Sequence, residues 1–192
     1  MQNITINLKT IIRFTLITLI ALSLSRIGFV LAFYDRVGSI SDAFFVLIQG
    51  IRVDIIVTGY FFLIPAIISI WLKQGTLSKL IRPLLAFWLI LTFTILIFME
   101  VMTPEFINEY DVRPNRIFLD YLIYPKEVSA MLWEGYKPAI FLGLAAIAIS
   151  VYFALFIIKK EKPKTTFLKW PSKLGLSALI IVVGFVLIRS SF

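Results

Sequence analysis

Five stretches of this chain, roughly Thr10–Phe33, Ala43–Leu72, Leu80–Met102, Pro138–Ile158 and Lys173–Ile188, are apolar for long enough to cross a bilayer as helices. A spanning helix needs about 20 such residues, because a backbone in hydrocarbon has to satisfy its own hydrogen bonds. The second stretch is long enough to begin with an interfacial turn, and the fifth is the shortest. Of 192 residues 60% are hydrophobic and 16% charged, with mean hydropathy +0.96, outside the range of a soluble globular domain. The alternating segments of about ten residues that build an outer-membrane barrel are absent. The first block exceeds the apolar core of a signal peptide and has no small-residue cleavage site after it, so it stays as a helix. The expected fold is all-α: a polytopic integral membrane protein whose five transmembrane helices form a single domain.

Charge sets the expected orientation. With the N-terminus in the cytoplasm, Lys9, Arg13, Lys73, Lys79, Arg82, Lys159, Lys160, Lys162, Lys164, Lys169 and Lys173 lie inside against one acid, Glu161, a balance of +10. The other eight bases and ten acids, a balance of −2, lie outside or in the outer part of the membrane and complete the net +8. Positive loops stay inside, so the reading is N-in and C-out. The sequence pI of 9.8 is then topogenic and faces anionic inner-leaflet lipid; no nucleic-acid partner is expected. Cysteine and histidine are both absent. No disulfide, thiol nucleophile, haem ligand, zinc site or histidine base can be built from this chain alone.

No internal repeat suggests an inverted-repeat transporter. The link Lys73–Lys79 is short, with Gly75 as a helix stop and Pro83 in the first turn of the third span, so spans two and three are expected to form a tight antiparallel hairpin. The basic link before the fifth span, with Pro163, Pro171 and Trp170 beside Lys169 and Lys173, reads as a topogenic anchor.

Away from the inner ends of the spans, the first carries Arg26, the second carries Arg52 and Asp54, and the third ends in Glu100. At about 1.5 Å per residue, Arg26 lies roughly 10 Å below the outer end of its span and Asp54 roughly 16 Å deep. Arg52 and Asp54 are two positions apart and point to different helix faces, so each needs its own partner. Two readings follow. Arg26 pairs with Asp54 and locks the first two spans together, with Glu100 a further candidate for an intramembrane ion pair. Alternatively, an arginine, Arg52 before Arg26, faces a cavity open to the outer leaflet and holds a lipid phosphate, which the planar guanidinium fork suits.

The remaining segment, Thr103–Lys137, is polar and aromatic. Pro104, Pro114, Pro125 and Pro138 divide it into pieces of about ten residues, read as short helices on the outer face between spans three and four. Ile117, Phe118, Tyr121 and Leu122 make one apolar stripe, with Arg116 and Asp120 spaced to pair; Val128, Met131 and Leu132 make a second, ending at Trp133 and Tyr136. Both suit interfacial helices lying apolar face down. The segment is either a lid over the spans or a docking surface for lipid headgroups and an extracytoplasmic domain. For the second role Arg113, Asn115, Arg116 and Lys126 offer donors to phosphate, and Tyr121, Tyr124, Trp133 and Tyr136 offer rings at headgroup depth. Acids outnumber bases here, but without histidine and at these spacings they make a poor metal site.

The run GIRVD (Gly50–Asp54), a following span with an internal Pro65, and RPNRIFLDYLIYPKEVSAMLWEGY (Arg113–Tyr136) together resemble the membrane domain of the bacterial lipoteichoic-acid-synthase-like family. These are phosphoglycerol transferases of the sulfatase and alkaline-phosphatase superfamily. The resemblance covers nearly the whole chain and is most specific in the outer segment. It implies a five-helix anchor in the bacterial cytoplasmic membrane, followed by an extracytoplasmic catalytic domain. In that domain a threonine nucleophile and a divalent metal, often manganese, move phosphoglycerol from phosphatidylglycerol to a glycan or lipid acceptor. The implied partners are outer-leaflet phosphatidylglycerol-type lipid and the catalytic domain itself. Phosphoethanolamine transferases are similar in architecture, and a non-catalytic membrane subunit is a further alternative. The family's metal sites use histidine, so no catalytic residue carries over onto this chain.

Overall fold

The computed structural model describes residues 7–72, 75–114, 123–160 and 169–189. Among them 92% are helical and none is in a strand. The helices are α1 (Leu8–Ala32), α2 (Tyr34–Val37), α3 (Ile40–Trp71), α4 (Thr76–Tyr110), α5 (Pro125–Gly135), α6 (Lys137–Lys160) and α7 (Trp170–Arg189). Four of them, α1, α3, α4 and α6, are long and apolar enough to cross a membrane; α7 contributes a shorter apolar run, Trp170–Val186. Their outward faces carry large apolar side chains such as Leu31, Ile48, Phe87 and Tyr152, a surface suited to lipid rather than water.

Local chemistry sets the helix starts. Asn7 accepts the amide of Thr10 through Oδ1 at 3.0 Å, and Ser39 accepts the amide of Asp42 through Oγ at 3.1 Å. Each cap satisfies one of the donors that a first turn leaves open. Gly75 precedes α4 in extended geometry, so it introduces that helix instead of stopping α3. The Ser78 hydroxyl holds it by accepting its amide and donating to its carbonyl. α4 starting at Thr76 puts Pro83 in the second turn, not the first.

α1 lies between α3 and α4. α6 packs on the far side of α4 and α7 on the far side of α3, giving the order α6, α4, α1, α3, α7. The expected hairpin of spans two and three is thus corrected: a short link joins α3 to α4, yet each packs far more extensively on α1 than on the other. The order has a packing cause in α6, which turns the small residues Ala139, Gly143, Ala146, Ser150 and Ala154 inward. A Cβ on Gly143 would stand 3.0 Å from Phe98 Cε2 and 3.2 Å from Met102 Cε, so the stripe lets α4 and α6 approach closely.

The end where α1 and α4 finish and α3 and α6 begin is termed the top. The apolar core, built around Phe14, Phe62, Leu89, Phe93 and Ile157, fills the lower half, with Phe14 and Phe93 edge to face at 5.8 Å. The buried charged residues Arg26 and Asp54 lie in the upper half. α4 itself rises well past the expected end at Met102. Its 35 residues span about 52 Å, far more than a hydrocarbon core of about 30 Å. Pro104 sits inside the helix and does not begin a new one. The segment stays helical because Thr103 and Phe106 are buried against the bundle, and the Thr103 hydroxyl donates to the Met99 carbonyl at 2.8 Å. Pro125, by contrast, does open α5, and Pro138 falls in the first turn of α6.

Candidate functional site

Three arginine–carboxylate pairs ascend the upper half of the bundle. Ser25 and Arg26 are consecutive on α1 and therefore project about 100° apart. With α1 between two neighbours, one side chain serves each. Arg26 reaches α3 and donates to Asp54 from Nη2 at 2.5 Å and from Nε at 3.4 Å. These side chains are 9% and 5% exposed. Gly50 lies one turn before Asp54 on the same face of α3, and a Cβ there would overlap Nε, Cδ and Cζ of Arg26. Glycine at this position is what admits the guanidinium. Ser25 reaches α4 and donates its hydroxyl to Glu100.

Glu100 also takes Nη2 of Arg113, from the chain beyond α4, and that guanidinium lies over the Phe29 ring at 5.7 Å. The third pair is at the rim. Arg36 on α2 donates from Nη1 to Asp111 Oδ1 at 2.5 Å and to the Ile107 carbonyl at 2.7 Å, closing the C-terminus of α4. A cation on the last carbonyls of a helix also faces the negative end of its dipole.

Arg26, Arg36, Arg113 and Asp111 line a half-open cavity of about 490 Å³ together with Phe29, Phe33, Val46 and Ile107. That volume is within the range of small-molecule sites. The chemistry is amphiphilic: guanidinium donors are interleaved with hydrocarbon, Arg36 over the Phe33 ring at 5.2 Å and Arg113 over the Phe29 ring at 5.7 Å. Asp54 and Glu100 are not part of the wall but neutralise Arg26 and Arg113 from behind.

Among the expected residues, Arg26 and Asp54 form a direct pair, while Glu100 is joined to Ser25 and Arg113. Arg113 lines the cavity; Arg52, the arginine given precedence for a lipid phosphate, does not, and Arg26 takes that wall instead. The reason is helical phase: the face of α3 carrying Gly50 and Asp54 meets α1, and Arg52 is two positions off it. Lys126 is exposed in the first turn of α5. Asn115, Arg116 and Tyr121, and the stripe from Ile117 to Leu122, lie outside the described residues. Tyr136 donates to Glu109 at 3.0 Å, tying the start of α6 to the top of α4. α5 buries no residue, and Met131, Leu132 and Trp133 are exposed along it.

Sequence reasoning missed Arg36, Asp111, Ser25 and Gly50. Only Gly50 had a legible signal, the four-residue spacing to Asp54 that stacks a missing side chain beneath a buried acid. Among the described residues no group of three or more acids could hold a metal ion. Asp54, Glu100 and Asp111 are each committed to a different arginine, a donor arrangement that does not fit a divalent metal.

No protein-family model matches the chain, and no solved structure matches its fold.

Proposed function

We propose that this chain is the membrane anchor and lipid-presenting domain of a phosphoglycerol-transferase-like enzyme of the bacterial cytoplasmic membrane, with its top at the outer leaflet. The cavity carries the reading. Three arginines and an apolar lining in one cavity suit a molecule that carries both a phosphate and hydrocarbon. Guanidinium groups bind phosphate oxygens through paired, charge-assisted bonds. The lining of Phe29, Phe33 and Val46 would hold the start of an acyl chain. Orientation is argued from the bias of lysine and arginine toward the bottom loops. α7 is proposed as a fifth span because it runs antiparallel to α3, with Trp71 Nε1 donating to Ser177 at 2.9 Å near one end and Gly184 against Leu63 toward the other.

The group transfer would belong to an extracytoplasmic domain using a threonine nucleophile and a divalent metal such as manganese. No step of it is assigned to residues of this chain. What these residues do is hold the phosphate of the donor lipid near the interface and orient it. The same grip would serve phosphatidylglycerol or phosphatidylethanolamine, so the headgroup transferred is decided elsewhere. A second reading, a non-catalytic subunit that binds a partner protein through α5, is favoured by the lack of any buried residue on that helix.

The test is lipid binding and turnover in the full-length protein. Native mass spectrometry should show one retained phosphatidylglycerol, lost on Arg113→Ala, and membranes should move labelled glycerophosphate from that lipid to an acceptor. Retention that is indifferent to Arg113, or membranes that consume neither phosphatidylglycerol nor phosphatidylethanolamine, would exclude the transferase-anchor reading and leave the partner-binding one.

A further inference from the structure

We propose that Asp111 is a built-in competitor for phosphate at the mouth of the cavity, so that binding is an exchange of the Asp111 carboxylate for a phosphate oxyanion on Arg36. The inference rests on the lipid-binding reading of the same cavity. Its starting point is that Asp111 places a negative charge where the helix dipole opposes one, although its backbone conformation is one that aspartate tolerates. It caps the C-terminus of α4, where the helix dipole opposes negative charge, and it adopts a left-handed backbone with φ 56°. Glycine or asparagine would suit that conformation at least as well. A residue that works against its local setting marks a position held for another purpose.

The exposure of the three pairs separates this acid from the others. Asp54 and Glu100 are enclosed, whereas Asp111 is 81% exposed and its partner Arg36 43%. An exposed pair in water is held weakly, so Asp111 is the carboxylate an incoming anion can displace. Arg36 would stay in place after the exchange. Its Nη1 also donates to the Ile107 carbonyl, Nη2 lies 3.5 Å from Asn108 Oδ1, and the guanidinium covers the Phe33 ring at 5.2 Å. Departure of Asp111 therefore exposes one preset N–H without collapsing the rim.

Exchange has a consequence for selectivity. A ligand must outcompete a carboxylate, which disfavours fatty acids and favours phosphate, whose additional oxygens can accept from further donors of a cavity lined by Arg36 and Arg113. The ligand chemistry is a phosphate oxyanion, either on a lipid headgroup or free.

The experiment compares the full-length protein with its Asp111→Asn variant in a phosphate-free maltoside detergent. Phosphatidylglycerol, inorganic phosphate and oleate are titrated separately. The variant should bind phosphatidylglycerol about fivefold more tightly, the scale of one exposed charge pair, and should gain at least as much for oleate. A gain with phosphatidylglycerol and oleate but not with inorganic phosphate identifies a lipid-borne ligand; an equal gain with inorganic phosphate identifies a free one. Unchanged or weaker binding by a variant whose thermal transition matches the wild type overturns the competitor role and leaves the lipid site standing. Asp111→Gly, which also suits the left-handed backbone, gives the same comparison if the asparagine variant folds poorly. If the wild type and both variants bind no ligand, the cavity reading fails and this inference with it.

Discussion

The indole of Trp88 on α4 donates its N–H to the backbone carbonyl of Phe61 on α3 at 2.9 Å. Phe61 is four residues before Pro65, which has no N–H to offer it. A carbonyl left open in hydrocarbon is costly, and a side chain from a neighbouring helix closes it. The rings of Phe61 and Trp88 also pack at 6.5 Å. The limited contact between α3 and α4 is therefore a specific one, set by a proline on one helix and an indole on the other.

This relationship predicts a thermodynamic coupling. Trp88→Phe keeps an aromatic ring but removes the donor, and should destabilise the protein by about 1 kcal/mol. In a Pro65→Ala background the restored amide can serve Phe61 itself, so the same change should cost less, with a coupling of about 0.5 kcal/mol or more. Thermal or denaturant unfolding of the four proteins in detergent reads it. Strictly additive effects would show that Trp88 does not serve the carbonyl that Pro65 leaves open.

Gly50 yields a prediction about fit. An added methyl meets the Arg26 guanidinium, which is held on its other side by Asp54. Gly50→Ala should cost about 1–3 kcal/mol through displacement of the pair, the usual penalty for overpacking a filled site. Gly28, whose added Cβ would meet nothing, is the control, and Gly28→Ala should be neutral or stabilising. Equal melting temperatures for the two variants would remove the claim that glycine admits Arg26.

The sequence made the helices visible and left their arrangement hidden, for identifiable reasons. Apolar length and proline position are local, so α1, α3, α4, α6 and the start of α5 at Pro125 could be read directly. The extension of α4 through Pro104 could not, because it depends on Thr103 and Phe106 being buried by other helices. The depths of Arg26 and Asp54 pointed to a pair because both charges sit on consecutive spans. Arg36 was illegible: nothing local distinguishes an arginine in a short link from a topogenic one until the C-terminus of α4 arrives beside it. Helix order in a membrane is set by side-chain fit rather than by water exclusion, and a connecting loop of a few residues says little about it.

α5 predicts a pattern of chemical access. These 192 residues hold no cysteine, so an introduced one is their single thiol, read against the unsubstituted protein. If Val128, Met131 and Leu132 lie against lipid headgroups, Met131→Cys should react slowly with a membrane-impermeant maleimide added to intact cells. Ala130→Cys, on the opposite side of the helix, should react quickly. A difference of tenfold or so in rate would fit interfacial burial. Equal rapid labelling would place the helix in water, and no labelling of either would place it under a partner or inside the cell.

The final prediction concerns the buried pair itself. Removing either partner leaves a charge enclosed at 9% or 5% exposure, so Arg26→Ala or Asp54→Ala should cost about 3–5 kcal/mol. The double change Arg26→Met with Asp54→Leu removes both charges and fills the space, and should recover most of that loss, because a well-packed apolar pair often matches a buried ion pair in stability. Arg26 also lines the cavity, so the stable double variant should nonetheless bind phosphatidylglycerol less tightly than the wild type. Stability recovered together with full lipid affinity would assign Arg26 to structure alone and leave Arg36 and Arg113 as the phosphate ligands; a double variant no more stable than the singles would show that the pair is irreplaceable by packing.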